Sequence, residues 1–184
     1  MTEQGRSRKP AAVRRAEIME AADAEFALRG LSGAGIEAIA ARVGVSHPRI
    51  VQMFGSKRDL FLQVVHAAYD RIEATFENAE PTLSAFGEAY RHLLHHRPTV
   101  GPVLMQAYAA AGDAGVQESV RRRHLDLQQT ITRVTGADSM QVRSFFATGL
   151  ILTVSTVLDL PGQRADTAWC AWIIGLTDPP ADEP

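Results

Sequence analysis

Residues 36–57, IEAIAARVGVSHPRIVQMFGSK, place two short apolar-periodic helical stretches either side of a glycine without a spare residue. That succession leaves a helix-turn-helix as the simplest way to pack both stretches. Ile36, Ile39, Ala40 and Val43 recur at offsets of three, four and seven, so they share one inward face. Gly44 then turns the chain, because a residue just past a helix end often needs positive φ and glycine reaches it without a Cβ penalty. Ser46 stands as the N-cap of the second helix, and Pro48 falls in the first turn, where its missing N–H costs nothing.

Each helical residue advances ~100° around the axis. With Ile50 taken as inward, His47 and Phe54 lie within about 60° of it, whereas Pro48, Arg49, Val51 and Gln52 turn away by about 100° or more. The outward set carries base-reading chemistry. Arg49 can offer a bidentate fork to guanine O6 and N7, and Gln52 a donor and acceptor pair to adenine. Val51 and Pro48 supply apolar contact for thymine methyl groups. Gly55 closes this helix, Ser56 and Asp59 form an S-x-x-D capping box for the next, and Lys57 at that helix N-terminus faces a DNA phosphate.

Around this stretch the charge is uneven. Residues 1–60 hold 10 Lys+Arg against 7 Asp+Glu, leaving 9 against 14 in the remainder, a basic head on an acidic body. The polar arm of residues 1–10, with Arg6, Arg8 and Lys9, has no apolar period and reads as disordered, able to track phosphates. The single cysteine, Cys170, excludes an intrachain disulfide and a multi-cysteine zinc site, which suits a cytoplasmic protein. No signal peptide precedes the first helix, and the longest uncharged run near the C-terminus, residues 144–158, is short for a bilayer.

The remaining chain is helical throughout. Residues 11–29 form an alanine-rich helix with Ile18, Ala22 and Phe26 inward, ended by Gly30 and followed by a loop over 31–35. Residues 57–80 form a long helix joining head to body, with Leu60, Phe61, Val64, Val65, Ala68, Ile72 and Phe76 on its apolar side. Prolines and glycines then punctuate helices over about 82–97, 99–111 (capped by Thr99) and 116–135. A helix from 138 to about 160 is apolar nearly all round and reads as buried on every side; a last one covers 164–176. The expected fold is all-α, a three-helix DNA-binding head over 11–56 and a body over 57–184 of about six helices.

Large side chains with a few hydroxyls, Tyr69, Phe76, Phe86, Tyr90, Met105, Tyr108 and Phe146, mark a small-molecule cavity between body helices. A single head reads few base pairs, so two copies must hold their reading helices ~34 Å apart. The last two helices are the candidate contact between copies, through Phe145, Gly149, Leu152, Ser155, Trp169, Trp172 and Ile173. His92, His95 and His96 lack a cysteine or carboxylate to complete a metal site and read as helix surface. Absence of a Ser/His/Asp pattern, a phosphate-binding glycine loop or paired carboxylates argues against an enzyme, and nothing calls for a cofactor.

The order amphipathic helix, FALRG, helix, GVS, short helix, FGSKRDLF over residues 17–60 resembles the DNA-binding region of the TetR family of bacterial regulators. The resemblance implies a homodimeric repressor that binds a palindromic operator and is released when an apolar small molecule occupies the body. Within that pattern Gly35 stands where a threonine usually caps the second helix, Val51 where a tyrosine commonly meets phosphate, and Pro48 where glycine is commoner. Those two missing hydroxyls keep an alternative open, an all-α ligand- or protein-binding module that no longer reads DNA.

Overall fold

The computed structural model describes residues 10–160, and the periodicities of the sequence become eight helices there. The head comprises α1 (Ala11–Gly33), α2 (Ile36–Val43) and α3 (His47–Phe54). The body comprises α4 (Lys57–Glu77), α5 (Leu83–His96), α6 (Val100–Ala109), α7 (Ala114–Thr135) and α8 (Ser139–Val157). The expected basic arm and the expected last helix, with Trp169, Trp172 and Ile173, lie outside the described residues.

One apolar core runs through head and body. Ile18, Ala22, Phe26, Ile39 and Ile50 close the head, and Leu60, Phe61, Val64 and Val65 of α4 continue inward without exposure. Phe26 meets Phe61 edge to face, with ring centroids 5.1 Å apart, so the first helix of the head packs directly on α4. The α4 N-terminus holds the expected capping box: the Ser56 N–H donates to Asp59 Oδ2 at 2.8 Å, while Asp59 N–H donates to Ser56 Oγ at 3.2 Å. Both donors from Ser56 hold the Asp59 carboxyl below its ordinary pKa.

Three expectations of local structure change. First, the chain breaks at Gly30, with φ 64° and ψ −176°, but instead of a loop it makes one more helical turn to Gly33, closed by the Ala34 N–H on the Gly30 carbonyl at 3.1 Å. Second, Thr99 does not cap α6 through its side chain; its hydroxyl donates to Asp23 of α1. The other Asp23 oxygen accepts from Arg71 of α4 at 3.1 Å, so one buried carboxylate ties α1 to α4 and α6. Such a tie is invisible to local spacing, since its partners lie 48 and 76 residues away.

Third, α8 is not enclosed. Only Val142, Thr153 and Ser155 are buried along it, while Met140, Leu150 and Val157 are exposed. By length and composition it is the one described helix able to cross a membrane, yet it packs on α5, α6 and α7 as a bundle helix. Leu125 and Val134 of α7 are exposed as well. An all-apolar pattern fixes no helix rotation, and here the rotation is set by a polar pair: the Tyr90 and Thr153 hydroxyls lie 2.7 Å apart. Thr153 spends its own hydrogen on the Gly149 carbonyl at 2.8 Å, so Tyr90 is the donor.

Candidate nucleic-acid interface and internal cavity

Gly44 takes the left-handed conformation, φ 66° and ψ 41°, and its N–H closes α2 on the Ala40 and Ala41 carbonyls. The turn sends α3 across α2 with Ile50 and Phe54 buried and Pro48, Arg49, Val51 and Gln52 exposed. Arg49 Nη1 donates to Gln52 Oε1 at 2.8 Å, so the two candidate base readers lie side by side. Ser46 occupies the N-cap position in extended conformation, but its hydroxyl makes no capping bond. His47 is exposed rather than inward: its Nδ1 lies 2.8 Å from Glu37 Oε1 of α2. In a helix of eight residues the first turn overhangs the head core and meets the solvent side of α2.

Lys57 also departs from expectation. Its ammonium donates to the carbonyls of Ser32 at 3.3 Å and Ala34 at 3.1 Å, so it caps the extra turn after Gly30. Lys57→Met is therefore expected to lower stability by about 1 kcal/mol, discounted for partial exposure, and to leave the salt dependence of DNA binding nearly unchanged. Denaturant titration paired with a salt series checks this. A salt slope shallower by ~1 with an unchanged unfolding midpoint would return Lys57 to the phosphate role.

Two arginines missed by periodicity hold the motif in place. Arg14 Nη1 donates to the Val43 carbonyl at 3.1 Å and Arg15 Nη1 to the Met53 carbonyl at 3.1 Å. Consecutive residues of α1 thus meet the carbonyl ends of both motif helices, where a cation is favoured by the helix dipole. Arg15 also lies over the Phe54 ring, 4.3 Å from its centroid. Their signal in the sequence is only an Arg-Arg pair about 30 and 38 positions before its partners. Gly35 needs no hydroxyl to be anchored, since its N–H reaches Glu25 Oε1 of α1 at 3.5 Å.

Within the body a cavity of about 330 Å³ opens between α4, α5, α6, α7 and α8. Tyr69, Phe76, Tyr90, Tyr108 and Phe146 line it as expected from the sequence. Phe86 instead stacks behind Phe76 at 4.6 Å, and Met105 is not part of the wall. Phe145 and Gly149, read from sequence as contacts between copies, turn inward to this wall; Gly149 faces the Tyr90 ring. Ile72, Leu104, His124, Leu127, Ala147, Leu150 and Thr153 also line it, Thr153 being placed by its bond with Tyr90, 63 residues away, which no motif marks.

Burial dominates the electrostatics of the phenols on the inner side of the cavity. Burial raises the Tyr69 and Tyr90 phenols well above their ordinary range, and Tyr108 beside Tyr69 adds to the effect. The Tyr69 hydroxyl is shut from solvent without a hydrogen-bond partner of good geometry. Outside the wall, Arg123 lies 5.5 Å from the Tyr69 ring centroid and pairs with Asp70 at 2.6 Å and Glu73 at 3.3 Å.

His66 and His124 set an acid limit on the fold. Burial lowers both pKa values from 6.5, and for His66 the Arg123 charge lowers it further while Asp70 opposes. The unfolded chain protonates first as pH falls, so stability is whole above 6.5 and is lost as pH falls through the folded values. The urea midpoint should drop between about pH 7.5 and about pH 5.5, and drop less in a His66→Asn/His124→Gln variant. Equal drops would place the acid sensitivity elsewhere.

Comparison with known proteins bears on head and fold separately. Residues 18–64 match the family model described as "Bacterial regulatory proteins, tetR family". Over 97 residues the chain is 34% identical to the HTH-type transcriptional activator FasR of Mycolicibacterium smegmatis, an alignment covering 49% of this chain and 44% of that protein. The chain thus spans less than half the length of that curated relative. A TetR-like transcriptional regulator from Rhodococcus sp. RHA1 superposes with a TM-score of 0.71 over 94% of this chain and 100% of its own, at 21% identity. A TetR-family structure from Streptomyces coelicolor A3 gives 0.72 over 92% and 99%, at 17% identity. At such identities the likeness is one of fold.

Proposed function

We propose that the chain is a TetR-type transcriptional regulator, a reading supported by the match of residues 18–64 to the tetR-family model and by the TetR-like fold, and that it acts as a homodimer whose hold on a palindromic operator is set by a small molecule in the body. The observation that carries this reading is the division of α3, with Ile50 and Phe54 in the core and Arg49, Val51 and Gln52 turned to solvent. Such a helix can enter a major groove without disturbing what holds it. Ser46, His47 and Pro48 flank the reading pair, the hydroxyl of Ser46 being free of a capping role. With an operator as partner, the protein would work in the cytoplasm in this proposal.

Two copies meet, in this proposal, through the outer side of α8. Met140 and Leu158 are exposed apolar side chains there and Leu152 is partly buried beside them, whereas Leu150 borders the cavity, Val157 lies against Gly101 of α6 and Ser155 is buried. The sense of regulation depends on where the operator lies relative to a promoter. Repression is the sequence expectation, whereas the FasR relative is named an activator.

Release follows from the ties between body and head. α6 contributes Leu104 and Tyr108 to the cavity wall, reaches α1 through Thr99 and Asp23, and sets Gln106 against Gly30. α4 adds Arg71 to the same carboxylate and carries α3 at its N-terminus. A ligand that favours a mis-spaced pair of heads by ~100-fold shifts the population enough to weaken binding appreciably.

Footprinting on the protein's own upstream region tests the reading, together with sedimentation of the free protein. Protection of two half-sites one helical turn apart by a dimer supports it. No protection on any fragment, with a cavity that still binds ligand, would instead favour the module that no longer reads DNA.

A further inference from the structure

Resting on the regulator reading above, we propose that the cavity takes an uncharged, single-ring aromatic molecule that presents a carbonyl oxygen to the Tyr69 hydroxyl.

Size limits the ligand first. A volume of about 330 Å³ corresponds to about a dozen non-hydrogen atoms at the ~30 Å³ that a water occupies in the liquid. One ring with a short substituent fits that space with room for an ordered contact, and a compound of three or more fused rings does not. The wall favours a ring over a chain: Tyr69, Phe76, Tyr90, Tyr108, Phe145 and Phe146 surround the space, and aromatic pairs gain from edge-to-face and offset contacts beyond simple burial.

Charge is excluded next. Among the described residues no Asp, Glu, Lys or Arg lines the cavity, and its imidazole, His124, is held toward its neutral form by burial. Arg123 behind Tyr69 is shared between Asp70 and Glu73, so that cluster is net negative and offers no free cation. An ionised ligand would lose its hydration with nothing to replace it.

A single polar demand remains. Tyr90 is spent on Thr153, whereas the buried Tyr69 hydroxyl has only the Tyr108 hydroxyl beside it and, among the described residues, no hydrogen bond of good geometry. Burial keeps that phenol protonated and thus a donor. A carbonyl oxygen satisfies a donor and brings no hydrogen of its own that would need an acceptor in an apolar wall. Tyr108, partly exposed and with its hydroxyl beside that of Tyr69, supplies a second donor for the same oxygen.

Isothermal titration of the full chain without DNA tests this with three probes of similar size. Acetophenone is neutral with a carbonyl, benzoate matches its size with a negative charge, and ethylbenzene has no polar atom. Acetophenone should saturate one site per chain, with benzoate weaker by on the order of 100-fold. Tyr69→Phe should weaken acetophenone by about tenfold and leave ethylbenzene unchanged, which separates a lost hydrogen bond from a disturbed cavity. Benzoate binding as tightly as acetophenone, acetophenone indifferent to Tyr69→Phe, or no acetophenone binding at all would each overturn the assignment. None of these titrations involves DNA, so a failure here leaves the operator footprint standing, and a failed footprint leaves the ligand class standing.

Discussion

Arg49→Ala is expected to weaken operator binding by about 2 to 6 kcal/mol, roughly 30-fold to 10⁴-fold, at fixed salt. The lower figure is about 1 kcal/mol for one lost bidentate base contact, the higher about 3, and a dimer loses it in both half-sites. Arg49 is exposed and its one structural bond is to Gln52, so the substitution should leave the unfolding midpoint where it was. Loss confined to the cognate site, with non-specific binding intact, separates base reading from phosphate attraction. Because the guanidinium already rests on the Gln52 carbonyl oxygen at 2.8 Å, the two side chains form one unit. Arg49→Ala, Gln52→Ala and the double variant should therefore be non-additive, the double losing less than the sum of the singles. Anisotropy titrations over an operator series varied one base pair at a time measure both quantities. Equal losses on operator and random DNA would remove Arg49 from the reading face.

How far the sequence carries depends on whether a feature is local. The turn at Gly44, the inward Ile50 and Phe54, the capping box from Ser56 to Asp59 and the apolar stripe of α4 all rest on neighbours within one or two helical turns. Each is found as the spacing predicts. The all-α architecture with a helix-turn-helix head follows from the same arithmetic and is matched by the solved TetR-like structures. Long-range polar partners were not legible. Lys57 reads as a phosphate contact from its position at a helix start, but its ammonium finds two carbonyls more than twenty residues upstream. Asp23, Arg71 and Thr99 have no spacing in common, and Arg14 and Arg15 look like any charged first turn. The wall of the cavity was half legible: large aromatic residues announced it, but α8 is apolar on every side, so nothing local told Phe145 that it meets Phe76 or Gly149 that it faces Tyr90.

Gly30→Ala is expected to cost about 2 to 4 kcal/mol of stability, a fall of roughly 5 to 15 °C in the thermal midpoint for a chain of this length. Two separate causes combine at this position. Its backbone sits at φ 64° and ψ −176°, a region that is essentially glycine's own and costs another residue about 1 to 3 kcal/mol. An added Cβ would also come within 2.3 Å of Gln106 Oε1 and 3.0 Å of its Cδ. The carboxamide is the far end of a flexible side chain and can move, so this part is the smaller. A Gly30→Ala/Gln106→Ala variant should recover the steric part alone and remain about 1 to 3 kcal/mol below the parent. The break at Gly30 is also what lets the chain turn to Ala34, where Lys57 caps the turn and α2 begins, while the residues before it lie along α6. Straining it loosens the seam between cavity and head, so the same variant should show a weaker dependence of DNA binding on effector. Calorimetry of the two variants separates the contributions, and a Gly30→Ala protein that melts with the parent would mean that the break belongs to neither the backbone nor the α6 contact.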